Sequence, residues 1–294
     1  FAGDSSTRLV NGYVKTHIGA VEVQAGKDEL WWGPMHQSSL NLSNNMNALT
    51  GVKVTTINPV KVGGTFRFLR SIKPTFVYAK LSDDRNDVKH PDFVGARVEV
   101  SPTKRLVLGA SMTSIMGGKG RHLSLSDYGR FLIGKNADSA SKDKWNSIAG
   151  YDVKWTLPSM EVYGMVYGED QATGLGFIPS PSKIAWTVGV YLPKLGNHED
   201  WNLRLEGGKT SNWWYAHWSY NDGYVHKGNI IGDYMGNSSN RLYARLGHWD
   251  KKANLTGFNV EYLRLNRELN TNAKALNVWV DHSRKLSNDW SLAA

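Results

Sequence analysis

Apolar and polar residues alternate with a period of two along most of this chain. Leu203 and Leu205, for example, fall on one face of a predicted strand, opposite Asn202, Arg204 and Glu206. Because successive side chains of a strand point to opposite sides, this pattern is typical of strands with two unlike faces. Helical spacing sustained over about ten residues does not accompany it. The pattern therefore predicts an all-β chain with roughly 14 to 16 strands.

Clusters of Gly, Pro, Asn, Asp and Ser separate the predicted strands, as turns between strands do. None of these clusters resembles a linker between domains, so we predict one domain spanning residues 1–294. Within residues 258–265 the alternation changes phase at Leu263. This change predicts either a β-bulge or a different register of that strand.

Alternation of this kind fits two architectures, a soluble β-sandwich with its apolar faces inside and a membrane barrel with its apolar face toward lipid. The longest apolar runs are only a few residues, well below the roughly 20 that a spanning helix needs, whereas strands cross with about 9–11. Short polar side chains on the polar faces suit a crowded lumen, and aromatic residues gather near predicted strand ends as interfacial girdles do. Both features favour the barrel. The short residues are Gly95, Asn202, Asn259 and Asn277, and the aromatic residues are Trp31, Trp32, Trp213, Trp214, Tyr215, Trp218, Tyr234 and Trp249.

Composition narrows the chemistry that the chain can perform. It contains 12 Trp and 13 Tyr but no Cys, which excludes disulfides, thiol catalysis and Cys-based metal centres. The formal net charge is +9, and residues 1–150 hold 20 Lys and Arg against 12 Asp and Glu. This half is the better candidate to meet a polyanion, although scattered lysines that only maintain solubility explain the charge about as well.

Enzyme motifs are missing from the sequence. It has no P-loop, no H-E-x-x-H and no G-x-S-x-G motif. His217 and His226 are the nearest approach to a histidine cluster, and the adjacent carboxylates Glu169 and Asp170 would point to opposite faces of a strand. We therefore predict a protein that is not an enzyme, with no catalytic residues, no metal ligands and no cofactors.

The most distinctive segment is KDELWWGP at positions 27–34, followed by LNLSNN at 40–45. An indole ring offers an apolar face to the C–H side of a sugar, while Asn, Asp and Lys reach hydroxyls and carboxylates. The segment suits a saccharide-binding platform or a constriction loop folded into a lumen, with Gly33 and Pro34 at its turn. These two interpretations are compatible.

Three further motifs follow in order: DDR at 83–85 with FVGAR at 93–97, GEDQA at 168–172 with IP at 178–179, and YNDGY at 220–224 with glycines at 228, 232 and 236. Together with the first segment, they resemble the Wzi-type capsule-assembly proteins of Gram-negative outer membranes. The resemblance covers roughly residues 8–250.

That resemblance implies a large antiparallel transmembrane β-barrel of about 14–18 strands in the bacterial cell outer membrane. It also implies a lectin that holds or organises capsular or exported polysaccharide at the cell surface, beside the polysaccharide export machinery. Members of the family are generally longer, with a periplasmic plug helix and about 18 strands. Neither the plug helix nor the full set of strands is found here, so we expect these residues to be a portion of a longer chain.

We predict non-catalytic binding of polysaccharide through many weak contacts along the polymer. The expected partners are an acidic capsular polysaccharide or exopolysaccharide, outer-membrane lipid and the export machinery, with no nucleic acid. The alternatives are an outer-membrane porin that passes small or anionic solutes and a soluble secreted β-protein. The first predicted polysaccharide-binding patch comprises Lys27, Asp28, Trp31, Trp32, Asn44 and Asn45, and the second comprises Trp213, Trp214, Tyr220, Asp222 and Tyr224.

Overall fold

The computed structural model describes residues 9–82, 84–132, 145–169, 184–266, 272–287 and 291–293. Asp83, Asp170 and the motif residues 171–172 and 178–179 lie outside this part of the chain. The strands are β1 (Gly12–Ile18), β2 (Val21–Asp28), β3 (Leu49–Thr56), β4 (Val60–Lys61), β5 (Ser71–Lys80), β6 (Asp92–Val100), β7 (Leu106–Met116), β8 (Trp145–Thr156), β9 (Glu161–Glu169), β10 (Ile184–Leu192), β11 (Trp201–Lys209), β12 (Val225–His226), β13 (Asn229–Ile230), β14 (Asn240–Trp249), β15 (Leu255–Leu265), β16 (Ala273–Lys285) and β17 (Ser291–Ala293). A 3₁₀ helix spans Gly64–Leu69, and one α-helix, α1, spans Leu125–Leu132.

One antiparallel meander contains nearly all of these strands. It runs β1-β2-β3-β5-β6-β7-β8-β9-β10-β11-β14-β15-β16-β17, and the short β4 pairs with β5. Strands β12 and β13 form a separate two-stranded sheet. Within the described residues β1 and β17 do not pair, so the barrel is not closed.

The wall of this sheet is polar inside and apolar outside. On β11, Asn202 and Glu206 are buried on the inner face, whereas Leu205 is 48% exposed on the outer face. On β16 the outward Leu276 and Val278 are 68% and 69% exposed. A soluble sandwich would show the opposite arrangement, so that alternative is wrong and the predicted barrel-type sheet is confirmed.

The β-bulge, one of the two interpretations of the phase change at Leu263, is wrong. β15 pairs with β14 and β16 in continuous register, with Leu263 opposite Arg241 on one side and Ala275 on the other. Leu263 faces inward because apolar residues fill this end of the lumen, where it joins the buried core. The change of phase therefore marks a change in what lies inside the barrel, and the backbone continues unbroken.

The girdle interpretation fails for most of the aromatic residues assigned to it. Trp32, Trp214, Tyr215 and Tyr234 belong to long connections, and the first three of them are at most 6% exposed. Trp249 ends β14 and is 42% exposed, as an interfacial residue would be.

Helix α1 covers part of the outer face of the wall. Its Phe131 is buried against outward-facing Val94 and Trp145. The Tyr128 hydroxyl donates a 2.7 Å hydrogen bond to Asp92, an outward carboxylate at the end of β6. No helix of the described chain is long and apolar enough to cross a membrane.

The two ends of the sheet carry connections of very different length. One end has the connections 29–48, 81–91, 117–144, 170–183 and 210–239, and we call it the long-loop rim. The other, the short-turn rim, has turns such as 19–20, 101–105 and 157–160. Outer-membrane barrels have long loops on the cell surface and short turns in the periplasm.

Candidate functional site

Two long connections from the long-loop rim fold into the lumen. We call residues 29–48, between β2 and β3, loop A, and residues 210–239, between β11 and β14, loop B. This placement agrees with the constriction-loop interpretation of the first motif. Apolar side chains of the two loops form much of the buried core, namely Leu30, Trp32, Met35, Leu40, Leu42, Met46, Trp214, Tyr215, Tyr220, Tyr224, Ile231 and Met235.

Loops A and B are joined by hydrogen bonds to their backbone carbonyls. The Ser43 amide donates to the Ile231 carbonyl at 3.1 Å, and the Ser43 hydroxyl donates to the Gly232 carbonyl at 2.6 Å. The Tyr215 hydroxyl donates to the Leu40 carbonyl at 2.6 Å. A Cβ at position 232 would overlap both Tyr215 and Leu40. Glycine is therefore required at this contact for steric reasons.

Carboxylates of the wall hold both loops in place. Glu206 of β11 accepts from the backbone amides of His36 and Gln37 at 2.8 and 3.0 Å, near the tip of loop A. Glu169, at the end of β9, accepts from the Tyr215 amide at 2.6 Å. Inward polar residues of the wall thus satisfy amides that a buried loop would otherwise leave unpaired.

A buried ion pair links loop B to the wall. Arg241 of β14 donates to Asp233 at 2.7 Å, and both side chains are 0% exposed. The Arg241 guanidinium also lies 5.2 Å from the centre of the Tyr234 ring. A buried pair contributes little net stability by itself, but removal of one partner leaves an unpaired buried charge.

The connection between β5 and β6 is tied to loop B through Arg85. Its guanidinium donates to both oxygens of Asp87 and to the carbonyls of Gly223 and Val225. Burial alone would raise the pKa of Asp87, but hydrogen bonds from Arg85 and from the amides of Val88 and Asp222 hold it below its usual value. Within the described residues no group of three or more His, Asp or Glu could hold a metal ion.

The tyrosines of loop B serve as packing residues. Tyr215 and Tyr224 stack with ring centroids 5.4 Å apart, and burial raises the pKa of both hydroxyls. Burial also raises the pKa of Tyr220 to about 12. These hydroxyls stay neutral at physiological pH and act as hydrogen-bond donors within the protein.

A cavity of about 320 Å³ lies at the long-loop rim, where both loops meet β2. Six polar side chains dominate its lining: two charged groups, Lys27 and Glu29, and the four amides of Asn44, Asn45, Asn47 and Asn229. Val10, Met46 and Ala48 complete it. Amides both donate and accept, so this lining can match the alternating hydroxyl groups of a sugar.

The first predicted patch is only partly brought together. Lys27, Asn44 and Asn45 line the rim cavity. Asp28 accepts from Gln24 on the inner wall at 2.6 Å, away from that lining. Trp31 is half-buried and Trp32 is buried beside Gly95, where a Cβ would lie 2.7 Å from its ring.

The second predicted patch does not form one exposed surface. Trp213 is 59% exposed, whereas Trp214, Tyr220 and Tyr224 are at most 1% exposed. Asp222 accepts from the Asn86 amide at 2.6 Å, a contact between two connections. Burial gives the three aromatic residues a packing role here, and their contact with polysaccharide stays a prediction.

Three polar lining residues were not among the predicted ones. Glu29 and Asn47 flank the predicted positions, so a wider window around the first motif would have included them. Asn229 is the first residue of β13 in loop B, far away in sequence. Only the packing of loop B against loop A brings it to the cavity.

Comparison with known proteins places this geometry in context. The model of the family described as capsule assembly protein Wzi matches residues 2–294. A Klebsiella pneumoniae protein, described as an uncharacterized 55.8 kDa protein in the cps region, is 28% identical over 198 residues, which cover 65% of this chain and 36% of that protein. This chain thus spans little more than a third of the curated relative.

A solved structure of Wzi from Escherichia coli has a similar fold. Its TM-score is 0.79 at 23% identity, with 96% of this chain and 66% of that chain covered. That protein is described as an outer-membrane protein involved in group 1 capsule assembly and as a carbohydrate-binding β-barrel. The likeness supports the barrel architecture, and the family model matches nearly every residue. This chain therefore belongs to the Wzi family of capsule assembly proteins.

Proposed function

We propose that this chain is part of an outer-membrane β-barrel that binds capsular or exported polysaccharide, without altering it, and holds it at the cell surface. The family is one of capsule assembly, and the similar Escherichia coli structure is described as carbohydrate-binding. The inverted wall, with apolar residues outside, supports a place in the outer membrane.

The observation that carries the proposal is the rim cavity. It lies at the long-loop rim, which is the cell-surface side in barrels of this kind. Its lining of amides with one cation and one carboxylate suits a polyhydroxylated ligand. Each contact is weak, and the polymer is retained because many repeats bind in succession.

Loops A and B argue against the porin alternative. They fill the long-loop half of the lumen with a packed core that includes the fully buried Leu40, Leu42 and Ile231. A solute would have to displace this core to pass. The acidity of the polymer, the contact with lipid and the association with export machinery belong to the same proposal.

Retention of purified capsular polysaccharide by the detergent-solubilised protein tests the proposal, with a salt titration. We expect retention by the parent protein and a loss of about fivefold or more in the Asn44→Ala/Asn45→Ala variant, since each lost hydrogen bond contributes about 1 kcal/mol. Exposed residues at the short-turn rim supply a matched control, Asn197→Ala with Lys251→Ala.

Two outcomes would count against this function. Equal retention by the cavity variant and the control would remove the rim cavity from the proposal. A folded parent protein that retains no polysaccharide, but conducts in stable steps across a planar bilayer, would favour the porin.

A further inference from the structure

The outer face of the wall changes character toward the long-loop rim on β6, β7 and β8. On β7 the outward Leu108 is exposed, whereas Ser114 and Met116, further along the same face, are buried. On β8 the outward Trp155 is exposed, whereas Trp145, at the long-loop end of the strand, is buried. The upper ends of these strands are therefore shielded from the surroundings of the barrel.

Helix α1 forms this shield. Phe131 and Tyr128 pack on the outward cluster that contains Trp145. At the start of the helix, the amide and the hydroxyl of Ser124 donate to the Asp127 carboxylate at 2.8 and 2.9 Å, as in a capping box. The helix is thus fixed by its own N-terminal cap and by its packing against the wall.

Polar groups on the outward side of the wall lie beneath α1. Asp92 accepts hydrogen bonds from Tyr78 and Lys80 of β5, at 2.8 Å each, besides the one from α1. Ser114 is buried in the same region. Without the helix, Asp92 and Ser114 would lie on the lipid side of the wall, where polar groups are costly. The helix therefore covers the polar part of an otherwise apolar outer surface.

The face of α1 that points away from the wall is apolar. Leu125, Gly129 and Leu132 share this face at positions i, i+4 and i+7, opposite the buried Asp127 and Phe131. Leu125 is 88% exposed and Leu132 is 56% exposed. A helix on the surface of a soluble protein carries polar or charged residues on its outer face. This face instead continues the apolar outer surface of the wall.

The position of α1 along the sheet keeps this face away from the open ends of the meander. β6, β7 and β8 are the fifth, sixth and seventh of the 14 strands in the main path, and the unpaired edges are β1 and β17. Further strands would join the sheet at those edges. The surroundings of the wall next to α1 are therefore the membrane.

We propose that α1 lies in the outer leaflet of the outer membrane, with Leu125 and Leu132 in contact with lipid acyl chains. One face of the helix packs on the wall and the other is stabilised by hydrocarbon. The side chain of Lys80, beside Asp92, is largely exposed, and its ammonium group suits the headgroup level next to the hydrocarbon. This inference rests on the proposed outer-membrane barrel and adds a helix to its lipid-facing surface.

Site-directed spin labelling tests this placement. The chain contains no Cys, so one nitroxide can be attached to Leu125→Cys or Leu132→Cys in the protein reconstituted into phosphatidylcholine vesicles. Electron paramagnetic resonance then measures collisions of the label with oxygen and with a polar nickel chelate. Because oxygen concentrates in hydrocarbon and the chelate stays in water, the ratio of the two collision rates should be about tenfold higher for a label in lipid than for one in water.

Two further labels calibrate the measurement. Val188→Cys lies on the exposed apolar face of β10, and Lys251→Cys lies in an exposed turn at the short-turn rim. We expect the labels at positions 125 and 132 to give the ratio found at position 188. Leu132→Asp, combined with the label at position 125, should lower that ratio toward the value at position 251, because a carboxylate is disfavoured among acyl chains. Leu132→Met should leave it unchanged, and circular dichroism checks that each variant is folded.

The outcomes distinguish this inference from the proposed function. A ratio typical of water at position 125 or 132, with a ratio typical of lipid at position 188, would overturn the placement of α1 and leave the membrane barrel intact. Few collisions with either reagent would overturn it too, because another part of the protein would then cover the helix. An unchanged ratio in folded Leu132→Asp would also count against it. A ratio typical of water at position 188 would contradict the membrane barrel itself.

Discussion

The two halves of the lumen use their polar side chains in opposite ways. Toward the long-loop rim, Glu206, Glu169 and Arg241 are committed to loops A and B. Toward the short-turn rim, Arg204 and Arg245 bond instead to side chains of the wall itself, the Tyr163 hydroxyl and Asp281. The charges of the long-loop half therefore hold loops A and B in place, and polysaccharide binding is expected at the outer surface of that half, in the rim cavity.

The largest loss of stability should come from breaking the buried ion pair between Arg241 and Asp233. Arg241→Met leaves Asp233 buried without its partner and should destabilise the attachment of loop B by about 3–5 kcal/mol. Limited proteolysis of loop B and bilayer conductance measure the result, and we expect faster cleavage and new conductance steps.

The double variant Arg241→Met/Asp233→Asn is the matched control. It removes both charges and should recover most of the lost protection. If the single and double variants were cleaved equally fast, the ion pair would have no special part in holding loop B.

The adjacent residues Trp31 and Trp32 of loop A should give the next largest difference in stability between variants. Trp32→Ala removes a buried indole beside Gly95 and should cost about 3–5 kcal/mol in the stability of loop A. Trp31→Ala, at a half-buried position, should cost less than about 1 kcal/mol. Denaturant titration of the two variants measures the difference.

Polysaccharide retention then separates packing from direct contact. Trp32→Phe should restore most of the retention lost in Trp32→Ala, because a smaller ring still fills part of the space. A larger effect of Trp31→Ala than of Trp32→Ala would show that the half-buried indole of Trp31 is the more important one for polysaccharide binding.

Acid should weaken the attachment of loop B through protonation of His226. This side chain is buried in β12, and burial, followed by the positive charge of Lys227, lowers its pKa to about 4. Its pKa in the unfolded chain is about 6.5, so above pH 6.5 it is neutral in both states. Between about pH 6.5 and 4 the unfolded state binds the proton first, and the stability of loop B should fall by up to about 3 kcal/mol.

Proteolysis of loop B from pH 7 to pH 4 measures this change. The parent protein should be cleaved progressively faster as the pH falls, and His226→Gln should lose that component of the pH dependence. An unchanged pH profile in the variant would assign the acid response to other groups.

The smallest expected effect is on polysaccharide retention and comes from the single cation of the rim cavity. Lys27→Gln removes the cation of the rim cavity and should weaken polysaccharide retention by less than about 1 kcal/mol, because solvent screens the charge. The slope of retention against salt should become shallower. A slope identical to that of the parent protein would show that Lys27 takes no part in recognising charge on the polymer.

Much of the wall was predictable, because strand geometry is local. The alternation of Asn202, Leu203, Arg204, Leu205 and Glu206 assigned each residue to one of two faces. The short polar residues favoured the inward orientation of the polar face, which the structure confirms. A loop folded into the lumen was one of the two compatible interpretations of the first motif, with Gly33 and Pro34 at its turn.

The interior was much less predictable. Trp214 and Tyr224 stand in polar, turn-rich sequence that is typical of surface loops, yet they are buried because the barrel encloses loop B. The same enclosure explains why Leu263 faces inward without a bulge. A local pattern reports the two faces of a strand and carries no information about what fills the space beside it.

By itself, the sequence determined most of the strands and the family, since these rest on local periodicity or on short motifs in a fixed order, and it favoured the inverted wall. Only the tertiary structure decided which residues meet. It brings Asn229 to Asn44 at the rim cavity and sets Arg204 opposite Arg245 on the wall. The physical reason is that these contacts depend on strand register and on the packing of two loops about 180 residues apart, which no local pattern encodes.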